Sequence, residues 1–207
     1  GMNVAIRNAN DGISLAQTAE GALQQVTDTL QRMRELAVQS ANATNTGQDR
    51  ANLDAEYQAL GAEVNRILES TSFNGQNILA GDAGSQVFQV GANNAADNRI
   101  TVITSDLTNA SGIASATGGA ITSVSGAQAM MDALDSAINR VTTARADLGA
   151  AQNRFEATIG NLRNASENQA AARSRIMDAD FAAETANLSK YQILQQAGTA
   201  MLTQANQ

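Results

Sequence analysis

Side chains able to do acid–base or nucleophilic chemistry are scarce in this chain. Its 207 residues include no histidine and no cysteine. That excludes a Ser-His-Asp or Cys-His nucleophile, an imidazole zinc site, a thiolate metal site and a disulfide framework. Carboxylate pairs remain, Glu56 with Glu63 and Asp178 with Asp180. Two carboxylates share acid and base roles only where a partly dry cleft drives their pKa values apart. Glu56 and Glu63 fall on an amphipathic helical pattern, and Asp178 and Asp180 stand at a break between two such patterns, where an aspartate caps a helix. Both pairs read as solvated or capping groups. Gly118-Gly119 lacks the spacing and the lysine of a phosphate-cradling loop, and Lys190 is the one lysine of the sequence. The chain therefore reads as a non-enzyme with no cofactor and no metal.

Binding chemistry is better represented. Gln31-Arg32-Met33-Arg34-Glu35-Leu36 puts charge and apolar surface on one helix, with Arg32, Glu35, Leu36 and Gln39 on neighbouring turns. Met33 belongs to an apolar seam, so Arg32 and Leu36 are expected to point partly away from it. Leu36 would then be an exposed apolar residue beside arginine, a common interface composition; the bland alternative is ordinary helix surface. A second candidate is the last helix, whose Phe181, Leu188, Tyr191, Leu194, Ala197, Met201, Leu202 and Ala205 form a broad apolar face. Nothing later in the sequence covers that face, so it calls for a partner.

Charge narrows the partner classes. Thirteen basic against twenty acidic residues give a net charge of −7, and the arginines are scattered. A nucleic-acid binder shows a basic stripe, and an anionic membrane repels an acidic protein. No run approaches the roughly 18 apolar residues that span a bilayer. The opening Gly1-Met2-Asn3-Val4 carries no secretory signal pattern and reads as a cut edge within a running helix.

The elements that must position these residues follow from hydrophobic spacing. The sequence has no proline, which suits long uninterrupted helices. In residues 2–42, Ala19, Leu23, Val26, Leu30, Met33 and Ala37 recur at steps of four and three, the 3.5-residue repeat of a bundle seam. Upstream, Met2, Ile6, Ala9, Ile13 and Ala16 continue it with one skip before Ala19. Gly12 in this helix costs about 1 kcal/mol. A second helix starts with Thr46 as N-cap and Asp49 near its N-terminus, bears Leu53, Tyr57, Leu60, Val64 and Ile67, and ends near residue 70. Phe73-Asn74-Gly75 marks a turn, and alternation of period two over 76–104 predicts a hairpin or three-strand patch. The uncharged, hydroxyl-rich stretch 107–131 reads as a surface loop or short β-excursion. A third helix over about 128–176 has the seam Leu134, Ile138, Val141, Arg145, Leu148, Gln152, Phe155, Ile159, Leu162, Ser166, Gln169, Arg173, Ile176. At 1.5 Å per residue it spans roughly 70 Å. Its polar entries Arg145, Gln152 and Gln169 suggest register marking or partly wet packing.

The expected fold is mainly α: an elongated antiparallel helical bundle or coiled-coil rod with a small β-hairpin region. It divides into an N-terminal helical half (1–75), a hairpin and loop region (76–127), a long helix (128–176) and a final helix (177–207).

Arg7-Asn8-Ala9-Asn10-Asp11-Gly12-Ile13-Ser14, Gln17-Thr18-Ala19-Glu20-Gly21-Ala22-Leu23 and the block from Leu30 to Asn42 resemble the N-terminal conserved region of bacterial flagellin. Residues 147–155, 172–181 and 193–199 are similar to its C-terminal region. The resemblance covers roughly 1–80 and 128–207. It implies a secreted, extracellular subunit of the bacterial flagellum, used in motility, exported by the flagellar type III apparatus and assembled with other flagellin subunits. The helical core and hairpin would be the D1 region, and 177–207 part of the C-terminal D0 segment. Residues 81–127 are too few for large outer domains, and the N-terminal D0 helix has no counterpart, which implies a truncated form that stays monomeric. The resemblance also implies a host Toll-like receptor as partner, contacted through Gln31, Arg32, Glu35, Leu36 and Glu56. It further implies an export chaperone packing on Leu188, Leu194 and Met201. A hook–filament junction protein or a surface adhesin with the same core is the alternative.

Overall fold

The computed structural model describes residues 1–177 and 181–206. Its elements are α1 (Met2–Ala41), α2 (Gly47–Ser70), β1 (Ser72–Phe73), β2 (Gln76–Asn77), β3 (Ser85–Gln89), β4 (Arg99–Ile103), α3 (Ser111–Gly118), α4 (Val124–Met177) and α5 (Phe181–Ala205). They fall into two units, Gly1–Arg163 and Asn164–Gln207. The mainly helical class with small antiparallel strands is as the spacing predicts.

In the first unit α1 is the shared element. Ala5, Ala9, Gly12, Ala16, Ala19, Leu23, Val26, Leu30, Met33 and Ala37 are all buried. Their steps alternate four and three without interruption, so the expected skip does not exist. Gly12, not Ile13, occupies the seam, and Ile6 and Ile13 pack at its margin. The physical reason is across the interface. A Cβ on Gly12 would overlap the Phe155 ring of α4, so the glycine is a socket for that ring.

The opposing positions show that α4 runs antiparallel to α1. Phe155 meets Gly12. Gln152 donates Nε2 to Glu20 Oε2 at 3.1 Å, and Arg145 Nη2 lies 3.6 Å from Glu20 Oε1. Arg34 donates Nε to Asp135 Oδ1 at 2.6 Å. Two of the polar seam residues of α4, Arg145 and Gln152, thus converge on one carboxylate. Leu134, Ala137, Val141, Leu148, Ala151, Phe155 and Ile159 form the buried stripe.

Helix α2 returns along α1. Its start is a capping box: the Asp49 amide donates to Thr46 Oγ1 at 3.2 Å, and the Thr46 amide donates to Asp49 Oδ2 at 2.9 Å. The α1–α2 corner is closed by Arg50, which donates to the carbonyls of Ser40, Asn45 and Asn42 at 2.8–2.9 Å. Carbonyls at a helix end lack intrahelical donors, and one guanidinium fork supplies them here.

Strands β1 and β2 pair across a two-residue turn at Asn74 (φ 51) and Gly75 (φ 80). Strands β3 and β4 pair antiparallel with Val87 opposite Thr101. Val90, Ile100 and Val102 are buried while Val87 and Ile103 are exposed, the alternation of a one-sided sheet. Phe88 meets Phe155 edge-on, with ring centroids 5.4 Å apart.

The uncharged stretch is not a surface loop. It contains α3 and buries Ile113, Ala116 and Ile121 completely. Helix α2 fixes it: Tyr57 Oη donates to the Ala116 carbonyl at 2.7 Å, Gln58 to the Gly119 carbonyl at 2.6 Å, and the Ile121 amide to Asp54 Oδ1 at 2.7 Å. A Cβ on Gly61 would stand 2.9 Å from the Thr117 carbonyl oxygen, so a glycine lets α3 approach the α2 backbone. Helix α4 then begins at Val124, four residues before the expected start.

In the second unit no described side chain is buried. Gln169, Arg173 and Ile176, expected in the α4 seam, are exposed there, Ile176 at 84%. The proposed caps Asp178 and Asp180, and the side chain of Phe181, lie outside the described residues.

Two stability predictions follow from the core. Gly12→Ala should lower stability by about 1–3 kcal/mol through overpacking against Phe155, read as a lower urea midpoint at constant slope. Burial first, and the Asp54 carboxylate second, push the Tyr57 phenol from 10.0 up to about 12. Its contribution is complete below the unfolded-state value and is lost as pH rises through the folded one. Stability should therefore fall between pH 10 and 12, and Tyr57→Phe should flatten that part of the profile.

Candidate functional site

The carboxylate pairs do not form a site. Glu56 pairs with Arg32 on α1, while Glu63 pairs with Arg66 on its own helix at 2.5 Å. Arg66 holds the Glu63 carboxyl below its ordinary range. Each carboxylate is thus committed to a separate arginine on an exposed surface. Among the described residues, no three acidic side chains gather as a metal site, and no helix is long and apolar enough to cross a membrane.

The Arg-Glu-Leu segment does assemble a defined surface. Arg32 projects toward α2 and donates Nε and Nη2 to Glu56 Oε1 at 3.1 and 2.8 Å, and Nη1 to Glu35 Oε2 at 2.9 Å. The side chains of all three remain about half exposed or more. Hydrogen bonds from Arg32 to Glu35, then to Glu56, raise the guanidinium's pKa further. Two residues on, Arg34 reaches the other way to Asp135 of α4 and draws that carboxyl below its usual range. Both arginines are therefore pinned, one to each neighbouring helix, with their charged groups at the surface.

Leu36 is not on that surface. It is 1% exposed, which corrects the expectation of an exposed apolar residue. Helix α1 is gripped from two sides, so its buried face is wider than a two-position seam and takes in Leu36 and Ser40 beside Met33 and Ala37. The exposed apolar residue is Val38, 49% accessible. With Gln31, Arg34, Glu35 and Gln39 it lines an open groove of about 500 Å³. Gln31 thus shares a groove with Arg34 and Glu35. Val38 and Asp135 were missed. Val38 falls off the four-three rows, a signal the sequence held, whereas Asp135 lies 101 positions from Arg34 and nothing local pairs them.

At the other candidate, Leu188, Leu194 and Met201 are 58%, 56% and 74% exposed, with Tyr191 and Leu202 similarly open. Among the described residues of the second unit, none buries them.

Family models for the bacterial flagellin N-terminal and C-terminal helical regions match residues 1–84 and 131–207. A flagellin of Halalkalibacterium halodurans is 49% identical over 210 residues, taking in 100% of this chain and 75% of that one. The chain belongs to the bacterial flagellin family. Its fold matches the crystal structure of Bacillus cereus flagellin with a TM-score of 0.66 at 31% identity, covering 81% of this flagellin and 94% of that chain. A putative flagellar hook-associated protein from Vibrio parahaemolyticus also gives a TM-score of 0.66, at 16% identity, over 86% of this chain and 91% of that one. That likeness is one of fold alone. As a flagellin, this protein is a structural subunit of the extracellular flagellar filament, assembled from like subunits and not an enzyme.

The geometry separates surface from core by mutation. Arg32→Ala and Glu56→Ala remove exposed ion pairs and should leave the unfolding midpoint nearly unchanged. Leu36→Ala empties a packed site and should cost about 2–5 kcal/mol, measured in the same denaturant titration.

Proposed function

We propose that this flagellin is also a ligand for a host Toll-like receptor that senses flagellins. One observation supports this most: the Arg32–Glu35–Glu56 cluster is already assembled on the α1–α2 face. A receptor acceptor would meet an arginine held in place by two carboxylates, so little side-chain freedom is lost on binding. Gln31 flanks the cluster. Leu36, being buried, contributes by holding the backbone of that turn.

In the same reading the helical core and hairpin of residues 1–176 are the D1 region, and 177–207 belong to the C-terminal part of D0. Export runs through the flagellar type III apparatus. The exposed Leu188, Leu194 and Met201 form the apolar face on which the export chaperone packs, since an uncovered apolar stripe needs cover before assembly. The 207-residue polypeptide by itself stays monomeric, because the inner coiled coil implied by the resemblance draws on both chain ends and α5 alone represents it here.

Two measurements test the reading. Arg32→Ala and Glu56→Ala should each weaken binding to the receptor ectodomain at least about tenfold, the scale of a hot-spot residue. Unchanged affinity in both would remove the cluster from the site. Sedimentation of the 207-residue chain should show one monomer-sized species, and filament-length particles would overturn the monomeric assignment.

A further inference from the structure

We propose that the β1–β2 turn is a site of spontaneous backbone modification, in which Asn74 loses ammonia and passes through a succinimide to aspartate and isoaspartate. Asn74-Gly75 is the one Asn-Gly pair of the sequence. The reaction needs a free carboxamide, an accessible amide nitrogen on the next residue, and no Cβ to crowd the approach.

The turn meets all three conditions. Both residues are exposed. Several other asparagine carboxamides are tied down: Asn8 to the Gln89 carbonyl, Asn10 to the Ile6 carbonyl, Asn45 to the Gln39 carbonyl, Asn109 to Asp106. Among the described residues, none holds the Asn74 carboxamide, and the Gly75 amide is outside the β1–β2 ladder, whose pairs are Ser72 with Asn77 and Phe73 with Gln76. Outside Asn74 and Gln76 themselves, no heavy atom lies within 4 Å of the position a Cβ on Gly75 would take. The same positive φ angles that call for Asn-Gly in a two-residue hairpin turn place this pair here.

The step balances with water as co-reactant. Gly75 N attacks Asn74 Cγ and forms the ring C–N bond. Its proton goes to the departing amide nitrogen, which leaves as ammonia. Water then opens either imide C–N bond, leaving a side-chain carboxylate or an isoaspartyl link. The isoaspartyl form adds a backbone atom to the turn that sets Phe73 opposite Gln76. A subunit fixed in an extracellular filament stays in place, so slow chemistry at one peptide bond accumulates there.

The test is peptide mapping of the whole chain after incubation in mildly alkaline buffer, folded and in urea. In the folded chain, conversion at Asn74 should lead every other asparagine at least about tenfold, because glycine alone leaves the attack unhindered. The converted chain should also exchange the Ile78 amide, bonded to the Thr71 carbonyl at 3.2 Å, faster than the unconverted one. Asn74→Ser should abolish the mass gain of amide-to-acid conversion. Conversion spread evenly over the asparagines, conversion at Asn74 in urea alone, or a mass gain that persists in Asn74→Ser would each overturn the assignment.

Discussion

The burial of α1 between α2 and α4 is the interaction on which the rest of the first unit depends. A helix of 40 residues in water has no reason to stay straight and dehydrated by propensity alone, since most helical stability in proteins comes from packing an apolar face. Here that face is ten positions long at four-three spacing, and it widens where both neighbours press on it. The hairpin packs Phe88 on Phe155, and α3 is held by hydrogen bonds from α2. Each satellite element is thus attached to a helix that α1 already holds.

The arginine–carboxylate surface is a by-product of the same arrangement. Arg32 and Arg34 are on opposite flanks of α1, so the helices that bury its seam also supply their carboxylates, Glu56 from α2 and Asp135 from α4. Both arginine side chains stay about half exposed, as long cationic side chains do at the edge of an apolar interface. Surface chemistry and core packing therefore share one backbone segment, and a change to Leu36 reaches the surface only through the fold.

Much of this was legible in the sequence, for a physical reason. Helix–helix burial imprints a period on the residues that make it, and the rows through Leu23, Val26, Leu30 and through Leu134, Val141, Leu148 carry that imprint plainly. The Thr46–Asp49 cap was readable because both partners are local. What escaped had no periodic imprint. Gly12 contributes to the seam by lacking a side chain, so hydropathy favoured Ile13. Helix α3 is too short and too rich in Ser, Thr, Gly and Ala to show a period, and its burial is enforced by Tyr57, Gln58 and Asp54 from α2. Leu36 was misread because a two-residue seam was assumed for a helix with two partners. Asp135 needed the tertiary contact itself.

The socket at Gly12 has a further consequence for how the two long helices find each other. A heptad pattern is nearly degenerate under sliding, since a shift of seven residues again lays apolar rows on apolar rows. Such a slip would carry Phe155 from Gly12 to Ala5 or Ala19, where a methyl group stands in the way of the ring. A missing side chain thus works like the notch of a key, and one hydrogen atom in place of a methyl decides which of several similar alignments the two helices adopt.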